Sequence, residues 1–275
     1  MADKKERTQK KKPKEGKKVA EKEEAPQEPL KEAPPQKAPV PVEPQTPQTP
    51  FESLAYPFKV IVSPMKAFQR IAAYPDIKGF MIIIASLILA AAALQFSVGS
   101  KIILDINTQL TALVTTDFFQ NFFIQGIIES IFVFFLSWLL FGGALLLIST
   151  IMGIKGGSWR QFFIIVGYAL TVVILRTAVS AILVSTLPQI NFGLSAWPPA
   201  TEEERTTANN LINANWGPLA AFQAGSYVNL VFDAWLVILA ATALRAYRAI
   251  PWSRAATISV TAYLIYFTLR LFIGF

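Results

Sequence analysis

Four ionisable residues stand inside apolar runs long enough to cross a bilayer: Glu129, Arg176, Asp233 and Arg270. Two carboxylates and two guanidiniums at such depth can neutralise one another, or they can line a polar pathway or substrate site. Arg176 lies within RQFFIIVGYALTVVILRTAVSAILVSTLP, residues 160–188. A guanidinium keeps its proton at any ordinary pH. One charge in hydrocarbon costs about 2.5–3.5 kcal/mol on insertion scales, so each has a strong motive to pair.

Their depths follow from a rise of about 1.5 Å per residue. Counted from the predicted outer ends of their spans, Glu129 lies roughly 9 Å down, Asp233 roughly 10 Å and Arg270 roughly 8 Å. Arg176 is deeper, roughly 16 Å, but its long side chain can reach outward. All four can then meet at one level, with charges that sum to zero. Arg176 with Asp233 and Arg270 with Glu129 is one assignment; the reverse is the other. Such pairs fix helix order and rotation on one reading and form a polar site on another; on a third, Glu129 and Arg270 reach the surface uncoupled.

Other chemistry is sparse. The chain of 275 residues has no cysteine and no histidine. That excludes disulfides, Cys/His zinc sites and every scheme that uses a His base or a Cys nucleophile. There is no nucleophile elbow and no metal-ligand cluster. The Gly156-Gly157 turn lacks the Lys-Ser/Thr that a phosphate-binding loop requires. A non-enzymatic protein without a cofactor is expected.

The elements that must position the four charges are five apolar spans. They are predicted at about 79–98, 123–152, 162–187, 226–245 and 255–275. In hydrocarbon each segment must satisfy its own backbone, so the spans are helices. The fold class is all-α, a polytopic bundle of five transmembrane helices at residues 79–275, behind a disordered tail. Gly142-Gly143-Ala144 and Ala240-Ala241-Thr242-Ala243 permit close helix approach.

Residues 1–50 hold ten of the 18 prolines and few large apolar residues, too little to offset chain entropy. They carry twelve basic and nine acidic side chains, part of a net charge of +7 for the chain. The tip is basic, with Lys10, Lys11 and Lys12 at its centre, and a proline-rich spacer follows. The tail reads as a solvated arm, or as a tether whose tip touches anionic lipid headgroups, a cytoplasmic protein or the ribosome. DNA is not an expected partner. No apolar stretch follows the initial charges, so no cleaved signal peptide is expected. Residues 51–78 form a pre-membrane segment. Ser63-Pro64 caps a short helix with Met65, Phe68 and Ala72 on one side and Lys66 and Arg70 facing elsewhere, fit for the headgroup layer.

Nine basic residues fall in the connections on one side of the spans, against Lys101 and Arg205 on the other. The amino terminus is therefore predicted cytoplasmic and the carboxyl terminus outside. On the outer side, Thr201 and Glu204 have capping-box spacing ahead of a helix over 201–215.

Two stretches, SPMKAFQRIAAYPDIKGFMIIIASLILAAA (63–93) and MGIKGGSWRQFFIIVGYAL (152–170), resemble the Yip family, membrane proteins named for binding Ypt/Rab GTPases. Pro64, Ala67, Phe68 and Ile71 match its pre-membrane pattern. Gly156 and Gly157 match its inner turn, and Gly167 and Tyr168 its Gly-Tyr pair. Where eukaryotic members carry Asp-Leu-Tyr-Gly-Pro, this chain has Ser53-Leu54-Ala55-Tyr56-Pro57, so it looks closer to the archaeal or bacterial branch. The resemblance implies five spans, the same topology, and a link to trafficking or membrane shape. Two functions are expected: a membrane scaffold or organising factor with a basic tail, or a transporter or channel subunit built around the four charges.

Overall fold

The computed structural model describes residues 52–106, 109–154, 157–192 and 201–273. The tail, including Lys10, Lys11 and Lys12, lies outside the described residues, as does Gly156.

Two short helices precede the first span: α1 (Glu52–Val62) and α2 (Pro64–Ala73). The expected helix from Ser63-Pro64 is α2. The helix before it was not foreseen, because Pro57 interrupts its pattern, yet Pro57 falls within the helix. Both bury an apolar face: Tyr56 and Val60 from α1, and Ala67, Phe68 and Ile71 from α2. They pack against the span helices, so these side chains are taken up by protein.

Five helices are long and apolar enough to cross a membrane. The first, α3 (Ile77–Gly99), starts where the Asp76 carboxylate accepts the Lys78 N–H at 2.8 Å. The second, α4 (Phe118–Ile151), begins earlier than its predicted edge and has 34 residues, so it extends beyond the roughly 30 Å hydrocarbon core. It ends at Gly153, which takes the left-handed conformation with φ 74°. Gly153 N–H donates to the Thr150 carbonyl and Ile154 N–H to the Ser149 carbonyl, the paired bonds that close a helix terminus.

The third crossing, Trp159–Ser185, spans 27 residues as the apolar run suggested, with an interruption at one residue that divides it into α5 (Trp159–Ala169) and α6 (Thr171–Ser185). The break falls at Leu170, where the Thr171 hydroxyl donates to the Tyr168 carbonyl at 2.7 Å. A side chain that competes for a backbone carbonyl loosens the helical ladder there. The fourth and fifth crossings are α8 (Ala220–Arg248) and α9 (Trp252–Ile273).

The bundle core is set by close approach of small residues and rings. The Phe80 ring lies against Gly167, and the Phe163 ring against Gly142. The Trp138 indole lies tilted against Phe80, 5.1 Å between ring centres, and donates its N–H to the Phe163 carbonyl at 2.8 Å. Ala240, Ala241 and Ala243 are buried, whereas Gly143 faces open space. Large apolar residues such as Leu89, Phe132, Ile182, Leu230 and Leu271 remain exposed on the outside of the bundle. A lipid environment covers such side chains.

One end of the bundle carries a feature that the all-α expectation left out. Strands β1 (Ile102–Ile106), β2 (Gln109–Ala112) and β3 (Ile190–Asn191) form a small sheet in the order β2-β1-β3. The β1–β2 pair is antiparallel, and the β1–β3 pair is parallel. Helix α7 (Glu202–Asn215) begins at Thr201 with the expected capping box: the Thr201 hydroxyl accepts the Glu204 N–H, and Glu204 returns a bond to the Thr201 N–H. Ile102, Leu104, Leu113, Ile190 and Trp216 form a second core beneath these elements. The fold is thus nearly all-α, a five-helix bundle with α1 and α2 at one end and this cap at the other.

Candidate intramembrane polar site

A cavity of about 260 Å³ lies among α3, α4, α6, α8 and α9, toward the cap end. Helix α4 supplies most of its polar edge. Gly126, Glu129, Ser130, Val133 and Ser137 all line it, and their spacing places them on one helical face. The Gln95 side chain of α3 packs directly on the backbone of Gly126, where any side chain would collide with it. The Ser130 hydroxyl donates to the Gly126 carbonyl at 2.7 Å, so its oxygen keeps only acceptor capacity at the cavity lining.

Arg176 enters from α6 and Asp233 from α8. Arg176 Nη1 lies 3.4 Å from Asp233 Oδ1. A direct charge-assisted bond usually measures about 2.7–2.9 Å, so this pair is loose. The side chains keep 21% and 18% of their exposure, because both face the cavity. Glu129 lines the same cavity and is exposed; among the described residues no hydrogen bond or ion pair joins it to a cation. Arg270 does not line the cavity. It lies on α9 near Tyr263, and Tyr263 in turn interacts with the Asp233 carboxylate. Three of the four charges therefore share one space, and the fourth approaches it through a tyrosine.

Several participants escaped attention in the sequence: Gln95, Ser130, Ser137, Thr177 and Tyr266. Ser137 and Tyr266 share a hydrogen bond of 3.0 Å between α4 and α9. The signal was present as a stripe of small and polar residues at helical spacing from 126 to 137, within an otherwise apolar run. Among the described residues, no three acidic side chains converge as a metal site would require. The arrangement can hold a small polar group through one guanidinium, two carboxylates and an amide.

The motif residues serve elsewhere. Pro64 opens α2, and Ala67, Phe68 and Ile71 bury its inner face. Tyr168 is fully buried, with its phenol against the bare Gly79 backbone, and it donates to the Asp76 carbonyl at 3.1 Å. Gly157 has φ 78° and lies under the Tyr247 ring, whose hydroxyl donates to the Ser158 carbonyl at 2.8 Å. Together these residues fasten α3, α5 and α8 to one another at the α2 end. Lys66 projects outward on α2 and Arg70 is half-buried.

Comparison with known proteins places this architecture. Neither curated proteins nor solved structures give a match. The family described as Yip1 domain matches residues 58–273, a stretch that contains α2, all five crossings, the cavity and the cap. The chain is therefore an integral, multi-pass membrane protein and belongs to the Yip1 domain family.

Proposed function

We propose that this protein is a non-enzymatic membrane scaffold or organising factor, with its basic end in the cytoplasm and residues 1–50 as a recruiting arm. The observation that carries the reading is the charge difference between the two ends. Lys59, Lys66, Lys78, Arg160 and Arg254 are exposed at the α2 end. The cap exposes Asp105, Asp117 and Glu203 against the single basic Arg205 among its exposed, described residues. Each basic side chain near an anionic leaflet contributes about 1 kcal/mol of attraction, and the same bias directs topology. The α1–α2 pair stiffens this end, since its apolar faces are already buried, and presents the cations as a fixed surface. The membrane thus receives a basic platform, and residues 1–50 recruit anionic headgroups, a cytoplasmic protein or the ribosome.

Crosslinking in native membranes, with the full chain and with residues 1–50 deleted, tests this. Recovery of a defined cytoplasmic partner only with the full chain is expected. Recovery of lipid alone from both would overturn the scaffold reading.

The polar cavity favours a second reading, a transporter or channel subunit. Toward the α2 end, however, Phe141, Leu145, Tyr168, Leu239 and Leu244 fill the bundle, so a path would require the helices to part. The absence of native cysteine makes the test clean. Cysteine at Ser130 should react with a membrane-impermeant maleimide from one side only; reaction from both sides would support transport.

A further inference from the structure

We propose that the cavity binds a small zwitterion that carries a primary ammonium and an oxyanion, the chemistry of an ethanolamine-phosphate headgroup. The site is unbalanced in a specific way. A guanidinium has five N–H donors, and Arg176 directs one toward Asp233 at a long 3.4 Å. Glu129 is a carboxylate with acceptor positions only, and among the described residues no hydrogen bond or ion pair reaches it. The cavity thus holds one carboxylate with no cation against it at membrane depth, which asks for a positive group beside Glu129. A lone cation would answer Glu129 but leave the spare donors of Arg176 unused. A lone anion would answer Arg176 but leave Glu129 without a positive partner. A molecule with both groups a few ångströms apart satisfies both sides. The Gln95 amide and the Ser130 oxygen add neutral partners to the same lining.

Size and access agree. A volume of about 260 Å³ falls just below the common ligand-pocket range of about 300–1,000 Å³, which suits a headgroup or one small metabolite. Glu129 is exposed, and so is Phe132, one turn along α4. The cavity therefore opens beside an apolar flank of the bundle, where an acyl chain could remain in lipid while its headgroup enters. This inference needs only the bundle and does not depend on the arm or on the scaffold reading.

The test uses full-length protein in a neutral maltoside detergent, with the thermal unfolding midpoint followed during titration. The probes are dihexanoyl phosphatidylethanolamine, the matching choline and glycerol lipids, free O-phosphoethanolamine, and ethylammonium chloride. The ethanolamine lipid should bind about tenfold more tightly than the choline lipid, which offers no N–H, and than the glycerol lipid, which has no cation. Glu129→Gln should remove that preference; because Glu129 is exposed and unbridged, the variant should fold normally. Arg176→Gln combined with Asp233→Asn removes the pair without stranding a charge and should also weaken binding. A comparable gain from free O-phosphoethanolamine supports a water-borne zwitterion, and a gain from the lipid alone supports a membrane-borne one. Equal affinity for all three lipids, an effect of the glycerol lipid alone, an equal effect of ethylammonium, or a full preference in Glu129→Gln would each overturn the proposal.

Discussion

At the residue scale, the bundle is held by a few polar contacts whose removal has distinct signatures. Tyr168 combines a buried ring with one hydroxyl bond to the Asp76 carbonyl, at the start of α3. Tyr168→Phe keeps the ring against Gly79 and removes only the bond, so a loss of about 0.5–1.5 kcal/mol is expected in thermal unfolding. Arg176 and Asp233 differ because each leaves a charge behind when the other is truncated. Asp233→Ala should reduce the folded yield, and Arg176→Ala with Asp233→Ala should recover part of it. The coupling should be about 1 kcal/mol, within the range for contacts between membrane helices. Strictly additive losses in folded yield would show that the 3.4 Å approach carries no energy.

At the element scale, boundaries are set by short side-chain signals that outrank hydropathy. The capping box at Thr201 and Glu204 starts α7. Thr201→Ala should cost about 1 kcal/mol. Hydrogen exchange should show that loss as faster exchange in the first turn of α7, with α3 and α4 unchanged. The cap has its own small core around Trp216, whose indole donates to the Pro188 carbonyl at 2.9 Å, so damage there should stay local. The break between α5 and α6 works the other way. Nothing polar enough to end a helix stands at Leu170, and hydropathy runs straight through it. At the break the Thr171 hydroxyl donates to the Tyr168 carbonyl, and one turn earlier Gly167 packs against Phe80.

At the scale of the whole molecule, the described chain has five helices long and apolar enough to cross a membrane, and five crossings would put its two ends on opposite sides. Single cysteines at Ser253, before most of α9, and at Thr206, on α7, should be labelled by an impermeant reagent from opposite sides. With the basic end cytoplasmic, intact cells should label Thr206→Cys and spare Ser253→Cys. The reverse result would invert the proposed orientation, and labelling of both from outside would remove one crossing. High salt should weaken association of the reconstituted protein with anionic vesicles through the exposed lysines and arginines of the α2 end, and should leave unfolding in detergent nearly unchanged.

Much of the fold was legible because a bilayer imposes long apolar helices. The five crossings, the α2 helix and the α7 cap each rest on a pattern within a single segment. The resemblance read from the stretches around Pro64, Phe68, Gly167 and Tyr168 pointed to the Yip family, and the family match spans residues 58–273. The strands, α1 and the α5–α6 break were not legible, since pairing partners far apart in sequence, or competing side chains, decide them. The same holds for the site. Sequence alone placed Glu129, Arg176, Asp233 and Arg270 inside apolar runs, where an isolated charge is costly. Only the tertiary structure decided which share a cavity, because helix rotation and the close contact of Gln95 with Gly126 depend on how neighbouring helices pack.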